Sequence, residues 1–223
     1  MSLWIKICGN TSAADALLAV EAGADAVGFV FAASPRRVTE SEAAGIIKRL
    51  PRTVEKIGVF VEARVEEIYS AVRICHLTGV QLHWDAAADL PARLKSRLGH
   101  ELRVMRVLHF GEGAVKRATQ QVATYAENPS VNGLLIDSRT SAAMGGTGVA
   151  YDWKRAANTL FKNAEARKLV VAGGLTPENV GEAIDALQPW GVDVVSGVET
   201  EPGRKDPLKV REFVMRARAA TKK

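Results

Sequence analysis

Apolar runs of five to seven residues, rich in Val and Ile, alternate along the chain with longer amphipathic segments. The strand-like runs are WIKIC at 4–8, AVGFVF at 26–31, KIGVFV at 56–61, GVQLH at 79–83, LRVMRVL at 102–108, GLLID at 133–137, KLVVAG at 168–173 and VDVVSG at 192–197. Each is followed by a stretch of helical periodicity. In the first of these, Ala13, Leu17, Val20 and Ala24 recur at intervals of three or four, and Gly23 supplies a helix stop. Further on, Thr176 precedes Pro177 and Asp206 precedes Pro207. Both pairs put a capping side chain ahead of a proline at the first helical position, where its missing N–H costs nothing.

Strands that alternate with helices predict a parallel sheet, because consecutive parallel strands need a crossover and the helix supplies it. Eight such units predict an α/β fold, a single-domain (β/α)8 TIM barrel over residues 1–223. The alternative is an open doubly wound sheet, which has fewer units. At roughly 28 residues per unit there is little room for an inserted domain. No Gly/Pro/Ser linker or low-complexity tract interrupts the pattern.

Composition narrows the function classes. Thirty basic against 25 acidic residues give a net charge of +5 and a pI near 9.3. The basic residues are scattered over helical segments, concentrate only at the C-terminal RARAATKK, and lack interleaved aromatics. That pattern reads as a solvated helix face and not as a nucleic-acid interface. Two cysteines, Cys8 and Cys75, are too few for a disulfide framework and lack metal-ligand spacing, which predicts reduced thiols in a cytoplasmic protein. No apolar run approaches the length that spans a bilayer, and no targeting signal is read.

In a barrel the chemistry collects at the C-terminal ends of the strands. The polar residues there are Cys8, Arg36, His83, Asp137, Gly173, Gly174 and the run Asp193 to Gly197, which includes Ser196. Strand alternation turns Lys6 and Cys8 into the barrel and Ile5 and Ile7 toward the helices. Cys8 then reads either as a small buried hydrophobe or as a general base helped by Lys6, and Lys6 reads equally as the partner of an interior carboxylate. Asp137, ending the sixth strand, is either a cap or a carboxyl whose pKa burial raises toward neutrality. AGGLTPENV and VSGVETEPG follow strands seven and eight, where this fold holds phosphate. MGGTGVAYDW at 144–153 reads as a lid. Arg36 in SPRRV offers a carboxylate two parallel hydrogen bonds, whereas Arg37 reads as solvated. His76, His100 and His109 stand apart, without zinc spacing, and Cys75 reads as packing.

KICGNT, SPRRV, GVFV, VQLHW, IDS, GGTG, AGGLTPENV and VDVVSGVETEPGRKD together resemble, in order and over nearly the whole chain, the phosphoribosylanthranilate isomerases of tryptophan biosynthesis. The resemblance implies an Amadori rearrangement of N-(5-phosphoribosyl)anthranilate without cofactor or metal, a phosphorylated small-molecule substrate, no nucleic-acid or membrane partner, and a monomer or homodimer. By motif position it makes Cys8 the general base and Asp137 the general acid. Arg36 corresponds to the holder of the anthranilate carboxylate, and Gly173, Gly174, Asp193, Ser196 and Gly197 fall in the phosphate loops. Three positions depart from the family pattern: Asn10 for an aliphatic residue, Trp84 for a glycine and Val195 for a serine. Asn10 is read as a cap of the following turn. A histidine-pathway aminoaldose isomerase would want an acidic residue at Cys8, and a ribulose-phosphate epimerase would want metal-binding His and Asp. A non-catalytic ligand-binding barrel is the alternative from another class, with Trp84 its best support.

Overall fold

The computed structural model describes residues 2–110, 115–137, 160 and 168–221. The stretch 144–153 and the helical segment expected after the sixth strand lie outside the described residues. The chain runs β1 (Trp4–Ile7), α1 (Ala13–Glu21), β2 (Ala26–Val30), α2 (Glu40–Ile47), β3 (Glu55–Phe60), α3 (Val65–Cys75), β4 (Gly79–Leu82), α4 (Leu90–Leu98) and β5 (Arg103–His109). It continues with α5 (Val115–Ala126), β6 (Gly133–Asp137), β7 (Leu169–Ala172), α6 (Val180–Leu187) and β8 (Gly191–Val194). A short antiparallel pair, β9 (Glu199–Glu201) and β10 (Arg204–Lys205), precedes α7 (Pro207–Ala220). Strands β1 to β8 pair in sequence order, and β8 pairs with β1 to close a parallel barrel. The eight expected strands are all present, seven of them within a residue of their predicted ends; the eighth stops at Val194, three residues before its predicted end at Gly197, where Ser196–Val198 turns into a 3₁₀ helix.

Alternation along each strand builds two apolar layers. Ile5 and Ile7 on β1 are fully buried against the helices, as are Val27 and Phe29 on β2. Burying each such side chain contributes roughly 1.5–3 kcal/mol. The opposite faces fill the barrel with Trp4, Ala26, Ile57, Met105, Leu135 and Val170. The lower end is closed by Trp4 stacked on Trp190 at 5.2 Å and by Arg103, which donates to both carboxylate oxygens of Glu55 at 2.6 and 2.7 Å.

The helix ends follow the sequence in part. Ser12 caps α1 by accepting from the Asp15 N–H, and Gly23 takes φ +96° just past the helix. Asp206 accepts from Leu208 and Lys209 ahead of Pro207. The Thr176 hydroxyl accepts from the Glu178 N–H at 3.2 Å, as a cap would, but residues 177–179 form a turn and α6 starts only at Val180; Asn179 braces that turn, its Oδ1 accepting from the Thr176 N–H and its amide donating to Gly174 O. The C-terminal basic cluster is not wholly solvated either. Arg218 donates to Asp25 Oδ2 at 2.8 Å, to Gly23 O at 2.9 Å and to Leu3 O, tying α7 to the start of β1.

Within the barrel, Lys6 is fully buried and donates to Asp193 Oδ1 at 2.9 Å and to Gln81 Oε1 at 3.0 Å. Burial pulls the Lys6 pKa down, but Asp193 and Cys8 outweigh it and hold the ammonium above its ordinary value. Removing one partner of such a pair leaves an uncompensated buried charge. Asp193→Ala is therefore expected to lower the urea-derived unfolding free energy by about 3–5 kcal/mol. A loss below about 1 kcal/mol, the range of a surface pair, contradicts this assignment.

Candidate active site

Cys8 follows the last residue of β1, and its N–H donates to Val194 O at 2.9 Å, so the thiol sits at the upper rim of the wall. The residue is 3% exposed. Gly28 on the neighbouring strand makes this possible. A Cβ there would lie 2.5 Å from Cys8 Sγ and 3.0 Å from Lys6 Cε, so the missing side chain is the space that both groups use. Burial pushes the Cys8 thiol up; Lys6 acts in the opposite sense without cancelling it. Both readings of Lys6 hold in part: it pairs with an interior carboxylate and it lies beside the thiol.

Asn10 does not cap the turn that follows it. Its amide donates to Ile7 O at 2.8 Å and to Gly28 O at 3.2 Å, bridging the end of β1 and the middle of β2. Trp84 is half-buried and packs against the hydrophobic layer between strands and helices. Cys75 is buried in α3 and donates to Glu40 O, with burial pushing its thiol to about 11.

Asp137, the last residue of β6, has a side chain only 1% exposed, with His83 Nε2 3.8 Å from its Oδ2. His109 joins them. It ends β5 in register with Asp137, and its ring lies 5.5 Å from that of His83. The sequence reading stopped the fifth strand at Leu108 and left His109 outside the site. Its shared parity with Met105 and Val107 is the signal that points to the mouth.

The glycine-rich turns after β7 and β8 come together. Gly173 and Gly174 take φ +82° and +65°, a region open to glycine without strain. Gly197 is pressed so closely against this turn that a Cβ would lie 1.9 Å from Leu175 O. Ser196 and Gly197 open a short 3₁₀ turn, Ser196–Val198. Asp193 does not belong with them. It lies on β8 in register with Lys6 and spends an oxygen on that ion pair inside the barrel, where strand parity sends it. A carboxylate is also a poor neighbour for phosphate.

Arg36 reaches the rim from the loop after β2, whereas Arg37 is exposed. Arg36 Nε donates to Glu199 Oε1 and Oε2 at 2.9 and 3.1 Å, and Nη2 donates to Oε2 at 2.6 Å. Lys205 Nζ donates to Glu199 Oε1 at 3.0 Å, to Cys8 O at 2.6 Å and to Val195 O at 3.4 Å. Burial pushes the Glu199 carboxyl up, but Arg36 and Lys205 prevail and hold it below its ordinary value. At Lys205 burial dominates, pulling the amine below its ordinary value against the opposing pull of Glu199. Sequence reading quoted Glu199 and Lys205 in a motif without giving them a role, since only the β9–β10 pairing folds them back to Cys8. Among the described residues no grouping of three or more His, Cys, Asp or Glu side chains is suited to a metal ion.

The family model of N-(5'-phosphoribosyl)anthranilate isomerase matches residues 5–216. The chain belongs to this family. An N-(5'-phosphoribosyl)anthranilate isomerase of Pelobacter propionicus is 43% identical over 211 residues, covering 94% of this chain and 93% of the relative. The phosphoribosyl anthranilate isomerase structure from Thermotoga maritima superimposes with a TM-score of 0.85 at 36% identity, covering 97% of this chain and 99% of that one. A further phosphoribosyl anthranilate isomerase structure, in complex with reduced 1-(o-carboxyphenylamino)-1-deoxyribulose 5-phosphate, gives a TM-score of 0.80 at 34% identity over 97% of this chain and 99% of that one.

In this phosphoribosylanthranilate isomerase family member, burial outweighs Lys6 and raises the Cys8 pKa above its ordinary value. In a Cys75→Ser background, thiolate absorbance near 240 nm is expected to titrate above the ordinary thiol value of 9.0. A midpoint near neutrality contradicts the dominance of burial over Lys6.

Proposed function

We propose that this chain is an N-(5'-phosphoribosyl)anthranilate isomerase of tryptophan biosynthesis, a single barrel domain over residues 1–223 working in the cytoplasm as a monomer or homodimer. It converts its substrate to 1-(2-carboxyphenylamino)-1-deoxyribulose 5-phosphate. The observation that carries the catalytic reading is the pairing, on the rim of one barrel, of a buried thiol on the first wall segment and a buried carboxyl at the end of the sixth.

Asp137 donates a proton to the furanose ring oxygen as the C1–O bond breaks, and the nitrogen lone pair forms the C1=N bond of a Schiff base. Cys8, as thiolate, takes the proton from C2; the C–H electrons form the C1=C2 bond and the imine π electrons return to nitrogen. Ketonisation of the enol then gives the ketose. Each assisted proton transfer contributes roughly 10²–10⁴ in rate. Gly173, Gly174, Ser196 and Gly197 hold the phosphate through the two abutting turns, and Arg36 holds the anthranilate carboxylate. Fixing both ends of the substrate places C2 and the ring oxygen between base and acid. Asp193 serves through Lys6 and does not touch the phosphate.

The substrate fluoresces when formed from anthranilate and phosphoribosyl pyrophosphate, and the signal is expected to decay on adding the protein. Cys8→Ser and Asp137→Asn are each expected to lower kcat by about 10²–10⁴, and either variant at wild-type rate refutes its assigned role. Because the base is a thiol pushed up by burial, kcat/KM is expected to climb between pH 7 and 9 as the thiolate fraction grows. A flat profile there opposes Cys8 as the base. Arg36→Ala is expected to raise KM more than it lowers kcat, and an unchanged KM removes Arg36 from the site.

A further inference from the structure

Glu199 and Lys205 are buried charged residues outside the acid–base chemistry, with side chains 4% and 0% exposed. Both belong to the β9–β10 hairpin, far from Cys8 and Arg36 in sequence. Their contacts divide the Arg36 guanidinium in a specific way. A guanidinium has two edges that each match a carboxylate: one formed by Nε and one terminal nitrogen, the other by the two terminal nitrogens. Glu199 takes the first, through Nε and Nη2. Among the described residues the Nη1–Nη2 edge is left for a second carboxylate, and the side chain is 14% exposed at the rim.

Lys205 completes the arrangement. Its three acceptors, Glu199 Oε1, Cys8 O and Val195 O, match the three hydrogens of an ammonium. One residue thus ties the carboxylate that orients Arg36 to the main chain of the base. The charges sum to one positive, the complement of a single carboxylate, whereas Arg36 and Glu199 alone sum to zero. Gly203 N–H also donates to Glu199 Oε1, at 3.2 Å, so the hairpin turn itself fixes the carboxylate.

We propose that Glu199 and Lys205 are positioning residues for the isomerisation, Glu199 presenting the terminal edge of Arg36 to the substrate's aromatic carboxylate and Lys205 holding that grip in register with Cys8. The inference rests on the assignment of Arg36 to the anthranilate carboxylate. Glu199 acts on binding, because its carboxylate bonds Arg36, Lys205 and the Gly203 N–H and not the side chains assigned to proton transfer. Lys205 acts on binding and turnover together, because it bonds the Cys8 carbonyl as well as Glu199.

The test is a double-mutant cycle in the fluorescence assay, with folding of each variant checked by circular dichroism and thermal melting. Glu199→Gln keeps the shape and one acceptor but removes the charge. It is expected to raise KM about tenfold, the equivalent of one charge-assisted hydrogen bond, with kcat changed less than about threefold. In an Arg36→Ala background the same substitution is expected to change KM by less than about twofold, since the group it orients is gone. Inhibition by the reduced product analogue is expected to weaken in Glu199→Gln, while inhibition by the anilino analogue lacking the carboxylate holds. An unchanged KM in Glu199→Gln, an equal rise in both backgrounds, or equal weakening of both inhibitors overturns the proposal. If Arg36→Ala itself leaves KM unchanged, the carboxylate assignment falls first, and this inference with it. Lys205→Met is expected to raise KM and lower kcat together; a folded Lys205→Met enzyme with wild-type kcat removes the link to Cys8, and the Glu199→Gln cycle decides the rest should that variant not fold.

Discussion

An ion pair in the dry interior of the barrel, Lys6 with Asp193, is the constraint on which the rest of the site depends. Two charges withdrawn from water are tolerated only with close geometry and with their remaining hydrogen-bonding capacity met. Parallel register supplies the geometry, setting Lys6 opposite Asp193 across β1 and β8, and Gln81 supplies a further acceptor. Cys8 stands on the same face of β1, one side chain above. The thiol therefore ionises under opposing influences: burial and Asp193 resist the thiolate, while Lys6 and Lys205 favour it. The net direction is upward.

The barrel divides its labour along the strand axis. The lower end is closed by stacked tryptophans and the Glu55–Arg103 pair, an arrangement suited to stability. The upper rim carries side chains with unequal surroundings. Asp137 sits among histidines, Cys8 beside lysines, and Arg36 against Glu199. The β9–β10 hairpin connects these regions, since its buried lysine bonds the backbone of the first strand's end while its buried glutamate holds the loop after the second. Arg36 and Cys8 are thereby referred to one rigid frame, which is what positioning catalysis asks of a scaffold.

The barrel was legible because strand and helix periodicities differ and alternate without interruption, and because parallel strands bury both faces. Ile5 and Ile7 facing outward, with Lys6 and Cys8 inward, followed from parity alone. Parity was also where the reading fell short. Ending the fifth strand one residue early hid His109, and Asp193, though within the predicted eighth strand, was grouped by motif with the phosphate loops although parity sets it opposite Lys6 inside the barrel. Thr176-Pro177 has the local signature of a helix start and makes its capping contact, yet residues 177–179 form a turn and the regular helix begins only at Val180. Glu199 and Lys205 lay beyond sequence reasoning for another reason. Their role comes from contacts with residues far removed along the chain, and no local pattern encodes a hairpin folding back over the first strand.

The most direct test is a crystal structure of this protein with the reduced product analogue bound. The account predicts Cys8 Sγ and the Asp137 carboxyl on opposite sides of the sugar chain, the phosphate against the turns at Gly173–Gly174 and Ser196–Gly197, and the aromatic carboxylate on the terminal edge of an Arg36 still held by Glu199. A phosphate bound elsewhere, or a sulfur turned away from C2, contradicts it.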